Sequence, residues 1–357
     1  MSLKTRIQDA LNLTRSQRLL NATQKIQAAL LGQSQLLKEP GALPHSEYDV
    51  KPIRPLAQVV ETLQKLKQSR FPVGKTGRGP SPIEPEITDG AEFLTRSFSC
   101  LAGSRSYKLY IPNHKPEMQL PLLIMLHGCK QNPSDFAVGT QMNTLAERHG
   151  MLVAYPAQSQ AANPSSCWNW FDPSHQHSYS GEPAIIAGIT EEIVKLYDID
   201  KNRVFVAGLS AGGAMAIVMG ETYPKLFSAV GVHSGLPYRS ANDVVSAFAV
   251  MRGDAPTTIG IPKLRTIVFH GDADGTVAPS NGANILSGAA FSTAEIDRTS
   301  GRYTRRVALD SHGLPVYEHW VLHGAGHAWS GGNPAGSYTS ASGPNASAEM
   351  VRFFLRL

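Results

Sequence analysis

The sequence predicts an α/β protein: a mostly parallel central sheet flanked by helices, preceded by a helical N-terminal extension. Three observations lead there. From about residue 92, short apolar segments alternate with helical patterns, as in a parallel sheet with crossover helices. An apolar strand, Val204 to Ala207, runs through Gly208-Leu-Ser-Ala-Gly212 into the small-residue helix former Ala214 to Met219. Later strands then end at loops carrying aspartate and histidine, and the carboxyl ends of parallel strands are where reactive groups collect.

Length and composition agree. With 357 residues, 42% hydrophobic and 17% charged, the chain can bury the core of an ordinary globular enzyme. No apolar run is long enough to span a bilayer. The N-terminus lacks the apolar segment of a secretory signal, and Cys100, Cys129 and Cys167 make no disulfide framework, so the expected location is cytoplasmic. Charge is uneven: residues 1–80 hold 13 Lys/Arg against 5 Asp/Glu, a local +8 within a formal +5.

Residues 1–90 read as the basic extension and its linker, 91–357 as the catalytic domain. Apolar residues recur at helical spacing over 3–13 and 16–31, and 57–68 can form another helix. Such helices either pack on protein or adsorb to an apolar surface with Lys and Arg facing away. Gly74-Lys75-Thr76 is not a phosphate loop, because the first glycine and the preceding strand are absent. No nucleic-acid partner is expected.

In the catalytic part, Arg105 to Ile111 alternates and stops at Pro112, as an outer strand would. Leu122 to Leu126 is wholly apolar and therefore central. Met142 to His149 is helical, Met151 to Tyr155 a strand, and Ile185 to Leu196 a helix. Strands follow at Ala229 to His233, Thr266 to His270 and Val316 to Leu322, and a helix at Ala346 to Leu355 closes the chain.

The chemistry sits at strand ends. Ser210 occupies a turn so sharp that a side chain at 208 or 212 would collide with its neighbours. A serine hydroxyl needs a base to take its proton, and an imidazole base needs a carboxylate to fix its tautomer. His270-Gly-Asp-Ala-Asp offers Asp274, with Asp272 as the alternative, and Gly324-Ala-Gly-His327 offers the base. The chain order Ser, Asp, His is that of α/β hydrolases. The oxyanion needs two backbone N–H donors, expected from Ala211 and, past the turn at His127-Gly128, from Cys129. His233, His270 and His323 are expected to be structural. The histidines show no metal-ligand spacing, so no metal or other cofactor is expected.

Leu126-His-Gly-Cys-Lys-Gln131, Cys167-Trp-Asn-Trp-Phe171, Gly208-Leu-Ser-Ala-Gly-Gly213, His233-Ser-Gly-Leu-Pro237 and Gly326-His-Ala-Trp329 together resemble the poly(3-hydroxybutyrate) depolymerase family of esterases, over about residues 95–357. The resemblance implies an α/β-hydrolase fold and hydrolysis of poly- or oligo(3-hydroxybutyrate) through an acyl-enzyme, with Ser210, Asp274 and His327 as triad. Feruloyl and acetylxylan esterases share the triad blocks and supply the alternative substrate class. A non-catalytic granule-binding protein is the alternative of another kind. The resemblance also implies that Cys129 and Cys167 lie together beside the site, as free thiols or a protected bond in a reducing cytoplasm. Missing secretion and substrate-binding modules point to the intracellular branch, with residues 1–80 as a granule-surface anchor. Trp168 and Trp329 either pack the core, as aromatics usually do, or line the acyl pocket; the second reading is the expectation carried forward.

Overall fold

The computed structural model describes residues 84–113, 119–254, 260–291, 293–296 and 301–357. The helices expected at 3–13, 16–31 and 57–68 lie outside these residues. Ten strands form one sheet: β1 (Glu92–Cys100), β2 (Gly103–Ile111), β3 (Leu120–Leu126), β4 (Leu152–Pro156), β5 (Ile199–Leu209), β6 (Ala229–His233), β7 (Arg265–Gly271), β8 (Thr293–Ile296), β9 (Tyr303–Leu309) and β10 (Pro315–Leu322). Their order is β1-β2-β4-β3-β5-β6-β7-β10-β9-β8. The middle six, β4 to β10 in that order, are parallel. Antiparallel strands extend both sides.

The central strands read as continuous apolar runs because both faces of the sheet are covered. Alternate residues feed different cores. Leu122, Ile124, Leu126, Val204 and Val206 join one cluster. Leu123, Met125, Phe205, Ala207 and Leu209 join the other. The first core is covered by α3 (Gly181–Leu196), α4 (Ala211–Thr222), α5 (Val244–Met251) and α6 (Ser280–Ile285), the second by α1 (Pro133–Thr140), α2 (Met142–His149) and α7 (Ala346–Leu355). Residues Ala211 through Gly220 of α4 are all buried, which explains its small and apolar composition.

Arg105 to Ile111 is not outermost. β1 pairs with it as the true edge, and β2 sits between β1 and β4. The helix expected from Ile185 begins at Gly181. Among the described residues no helix is long and apolar enough to cross a membrane.

Candidate active site

Ser210 links β5 to α4 with φ 57° and ψ −120°, a conformation that costs a non-glycine residue about 1–3 kcal/mol. Two backbone hydrogen bonds hold it there: Ser210 N–H donates to His233 O (2.9 Å), and Ala214 N–H donates to Ser210 O (2.9 Å). The flanking glycines are required by close approach. A Cβ at Gly208 would overlap the Gly212 backbone, and one at Gly212 would overlap Leu126 O and His127 O. Ser210 is nearly buried, at 9% exposure, at the carboxyl end of the central strand.

Two strands away, Asp274 follows β7. Its Oδ1 accepts the N–H groups of Thr276 and Val277 (2.9 Å each), and its Oδ2 accepts His327 Nδ1–H at 2.7 Å. His270 Nε2 lies 3.4 Å from the same oxygen. Burial opposes ionisation of this carboxyl, but hydrogen bonds from His270 and His327, the charge of His327 and the Val277 amide outweigh it, holding Asp274 well below the usual carboxylate range. Because Nδ1 of His327 carries the proton shared with Asp274, Nε2 presents its lone pair. Among the described residues neither that nitrogen nor Ser210 Oγ is engaged by another group. Asp272, the alternative acid, instead accepts from His323 Nδ1 (2.9 Å) and Gly324 N–H (2.7 Å).

The loop after β3 faces the serine. A Cβ on Gly128 would stand 3.6 Å from Ser210 Cβ. Gly128 N–H donates to Gln131 Oε1 (2.9 Å), Lys130 N–H to Ser165 O (2.7 Å), and Gln131 N–H to Gly128 O (3.3 Å). Cys129 N–H, between them, has no acceptor among the described residues, and neither does Ala211 N–H at the start of α4. Two free donors thus flank the serine. A disulfide between Cys129 and Cys167 ties this loop to the Cys167-Trp-Asn-Trp segment.

Two buried histidines, His233, expected to be structural, and His127, before the turn at Gly128, hold the site together. His233, at the end of β6, is fully buried, and burial pushes its imidazole down to about 3. Its Nε2 accepts Ser330 N–H (3.1 Å), so Nδ1 bears the hydrogen and faces Ser234 Oγ (3.1 Å). One residue therefore anchors Ser210 through its carbonyl and the His327 loop through its ring. His127 is likewise buried and neutral, pushed down to about 4, with Gln158 N–H on Nε2 (3.1 Å) and Nδ1–H on Gly128 O (2.8 Å). The legible signal was a histidine ending an otherwise apolar strand.

Trp168 and Trp329, expected to line the acyl pocket, do not. Both are completely buried. Trp329 packs edge-on against Phe136, stacks on His233 and donates Nε1–H to Ser347 Oγ (3.0 Å). Trp168 lies in the other core against His127. A ring with no accessible surface presents no face to a substrate, so both indoles are core packing. Among the described residues no group of three or more His, Cys, Asp or Glu gathers as a metal site.

Comparison with known proteins now adds to this geometry. The family profile described as "Esterase PHB depolymerase" matches residues 105–308, more than half of the chain. The chain belongs to the PHB depolymerase esterase family. Ser210 and Asp274 fall within the matched stretch; His327 follows it. Similar members of this esterase family's neighbourhood include a poly(3-hydroxyalkanoate) depolymerase C from Paucimonas lemoignei, 29% identical over 69% of this chain and 63% of its own. A probable acetylxylan esterase A from Aspergillus fumigatus is 29% identical over 56% of this chain and 58% of its own. A poly(3-hydroxybutyrate) depolymerase from Ralstonia pickettii is 26% identical over 73% of this chain and 58% of its own. The chain therefore spans about three-fifths of the length of these relatives. Among solved structures, an acetyl xylan esterase from Aspergillus awamori aligns with TM-score 0.59 and 20% identity, covering 75% of this chain and 99% of that one. The fold is that of the α/β hydrolases.

Proposed function

We propose that this chain hydrolyses ester bonds of poly(3-hydroxybutyrate) or its short oligomers through an acyl-enzyme on Ser210. The observation that carries the reading is the 2.7 Å bond from His327 Nδ1 to Asp274, which leaves Nε2 as a free base in the loop that His233 holds alongside the nucleophile's turn. In the first half-reaction His327 Nε2 takes the Ser210 hydroxyl proton as Oγ bonds to the ester carbonyl carbon. Cys129 N–H and Ala211 N–H stabilise the resulting oxyanion. The intermediate then expels the alkoxide of the next unit, which takes the proton back from Nε2. Water repeats the sequence on the acyl-enzyme and frees the hydroxyacid.

The polyester reading is supported by the family's description and by the longer match to the depolymerase than to the acetylxylan esterase at equal identity. Purified protein should release 3-hydroxybutyrate units from amorphous polymer or oligomer. Acetate release from acetylated xylan with no attack on the polyester would replace this reading with the carbohydrate-esterase one.

The basic residues 1–80 are proposed to bind the polymer granule in a cytoplasmic setting, on the strength of their charge and periodicity. A chain beginning near residue 90 should lose granule binding, and equal binding overturns the assignment. In a reducing cytoplasm the Cys129–Cys167 bond is either shielded from reductant or open to two thiols. Alkylation of the protein inside intact cells should find the free Cys100 together with either both Cys129 and Cys167, as an open bond gives, or neither of them, as a protected bond gives.

A further inference from the structure

We propose that Asp272 and His323 are positioning residues for the catalytic histidine, setting the height of His327 over the nucleophile; this rests on the serine-esterase reading above. Three consecutive residues after β7 grip three points of the loop after β10. Asp272 takes His323 Nδ1–H at 2.9 Å and Gly324 N–H at 2.7 Å. Ala273 N–H donates to Ala325 O at 3.1 Å. Asp274 takes His327 Nδ1–H at 2.7 Å. The contacts run in register, like rungs, and the catalytic pair is the last of them.

The first rung is itself braced. His323 Nε2 faces Thr304 Oγ1 on β9 at 2.9 Å, so its ring is held on both nitrogens. With Asp272 accepting at Nδ1, Thr304 O–H donates to Nε2. His323 N–H donates to Arg302 O (2.7 Å), and Asp272 N–H to Leu322 O (3.0 Å). Gly324 has φ 69°, so the chain reverses at the residue Asp272 holds. Gly271 lies so near Ala325 that a Cβ there would overlap its carbonyl. These contacts leave the loop little freedom to drift at one end, while His233 and the buried Trp329 fix the other. His327 sits on a span clamped on both sides.

The Asp272–His323 pair is part-exposed, with 41% and 38% of its side-chain surface accessible, so water would compete for a bond kept only for stability. Its leverage is geometric. A base displaced by about 1 Å can cost a reaction on the order of a hundredfold. A partial release of one end should cost less.

Asp272→Ala removes both accepted bonds. Asp272→Asn keeps an oxygen for Gly324 N–H, and its amide can donate to His323 Nδ1 once that ring exchanges tautomers and donates from Nε2 to Thr304. In the full chain, Asp272→Ala should lower kcat about tenfold with KM on a soluble ester within twofold of wild type, and Asp272→Asn should recover most of the loss. Thermal unfolding of both variants is measured alongside; the alanine variant's loss of kcat must appear at temperatures where it remains folded. Wild-type kcat in Asp272→Ala, or no recovery in Asp272→Asn despite intact folding, overturns the positioning role. Should wild type itself prove inactive on esters, or Ser210→Ala remain active, the esterase reading fails instead, and the two failures are told apart in one experiment.

Discussion

Asp274→Asn is the substitution whose consequences the structure specifies most fully. The amide oxygen can keep the two backbone bonds from Thr276 and Val277. The other position becomes an N–H₂ group facing His327 Nδ1 at 2.7 Å and His270 Nε2 at 3.4 Å. Two donors now meet, unless His327 moves its hydrogen to Nε2, and in that tautomer it has no lone pair for the Ser210 proton. The turnover number should fall roughly ten-thousandfold while KM changes little. Loss of a buried charge-assisted bond should also cost about 1.5–3 kcal/mol of stability. The pH dependence has a definite sign. The folded carboxyl is depressed, so its contribution is complete above the ordinary carboxylate pKa of about 4 and is lost only as pH falls through the folded value. The stability deficit of the variant should therefore be present throughout the range above about pH 5 and shrink only below it. Steady-state kinetics on a soluble p-nitrophenyl ester and thermal melts across that range are sufficient. Activity within tenfold of wild type would refute the assignment of Asp274 as the orienting acid.

Other expectations follow from the same packing. Gly212→Ala places a Cβ against two backbone carbonyls that cannot move aside, and should destabilise the protein by about 3 kcal/mol or more, read as a large fall in melting temperature or loss of soluble protein. Reducing the Cys129–Cys167 bond, which closes a separation of 38 residues, should cost about 2–4 kcal/mol in a denaturant titration with and without reductant. It should slow catalysis as well, because the unpaired Cys129 N–H is the proposed oxyanion donor. His127, His233 and His319 are buried and pushed down to about 4, 3 and 4. Each is neutral when folded and protonates on unfolding below about pH 6.5, so each withdraws up to about 1.4 kcal/mol per pH unit as acidity rises from there toward its folded value. Melting temperature should drop steeply from pH 6.5 to 4.5, and a flat profile would contradict their burial as neutral rings.

What the sequence could and could not reveal follows from how local each constraint is. The Ser210 turn was legible because strand, glycines and helix are contiguous, and the steric demand on Gly208 and Gly212 is written into the same few residues. The apolar runs Leu122 to Leu126 of β3 and Val204 to Leu209 of β5 announced their central place for a similar reason. Only its distance from the strand end favours Asp274 over Asp272. They lie two residues apart past one strand, and which of them meets His327 is decided by the register of two distant loops, set by the Ala273–Ala325 bond. Trp329 misled because it lies in a Gly-rich loop, Gly324 to Gly332, typical of an open segment; the indole instead turns under α7 to reach Ser347, a contact no local pattern encodes. Exposed and mixed-polarity β1 gave no apolar run and was missed, which left β2 looking like the edge. α1 was missed because it has eight residues, and its start, Asn132-Pro133, reads equally well as a turn.

The central claim is that Ser210 is a nucleophile activated by His327. Treating the full chain with a fluorophosphonate and mapping the adduct by peptide mass spectrometry tests it most directly. A single adduct on Ser210, abolished in Ser210→Ala and slowed at least a hundredfold in His327→Ala, is the predicted result. Labelling at another residue, or undiminished labelling without His327, would contradict the account.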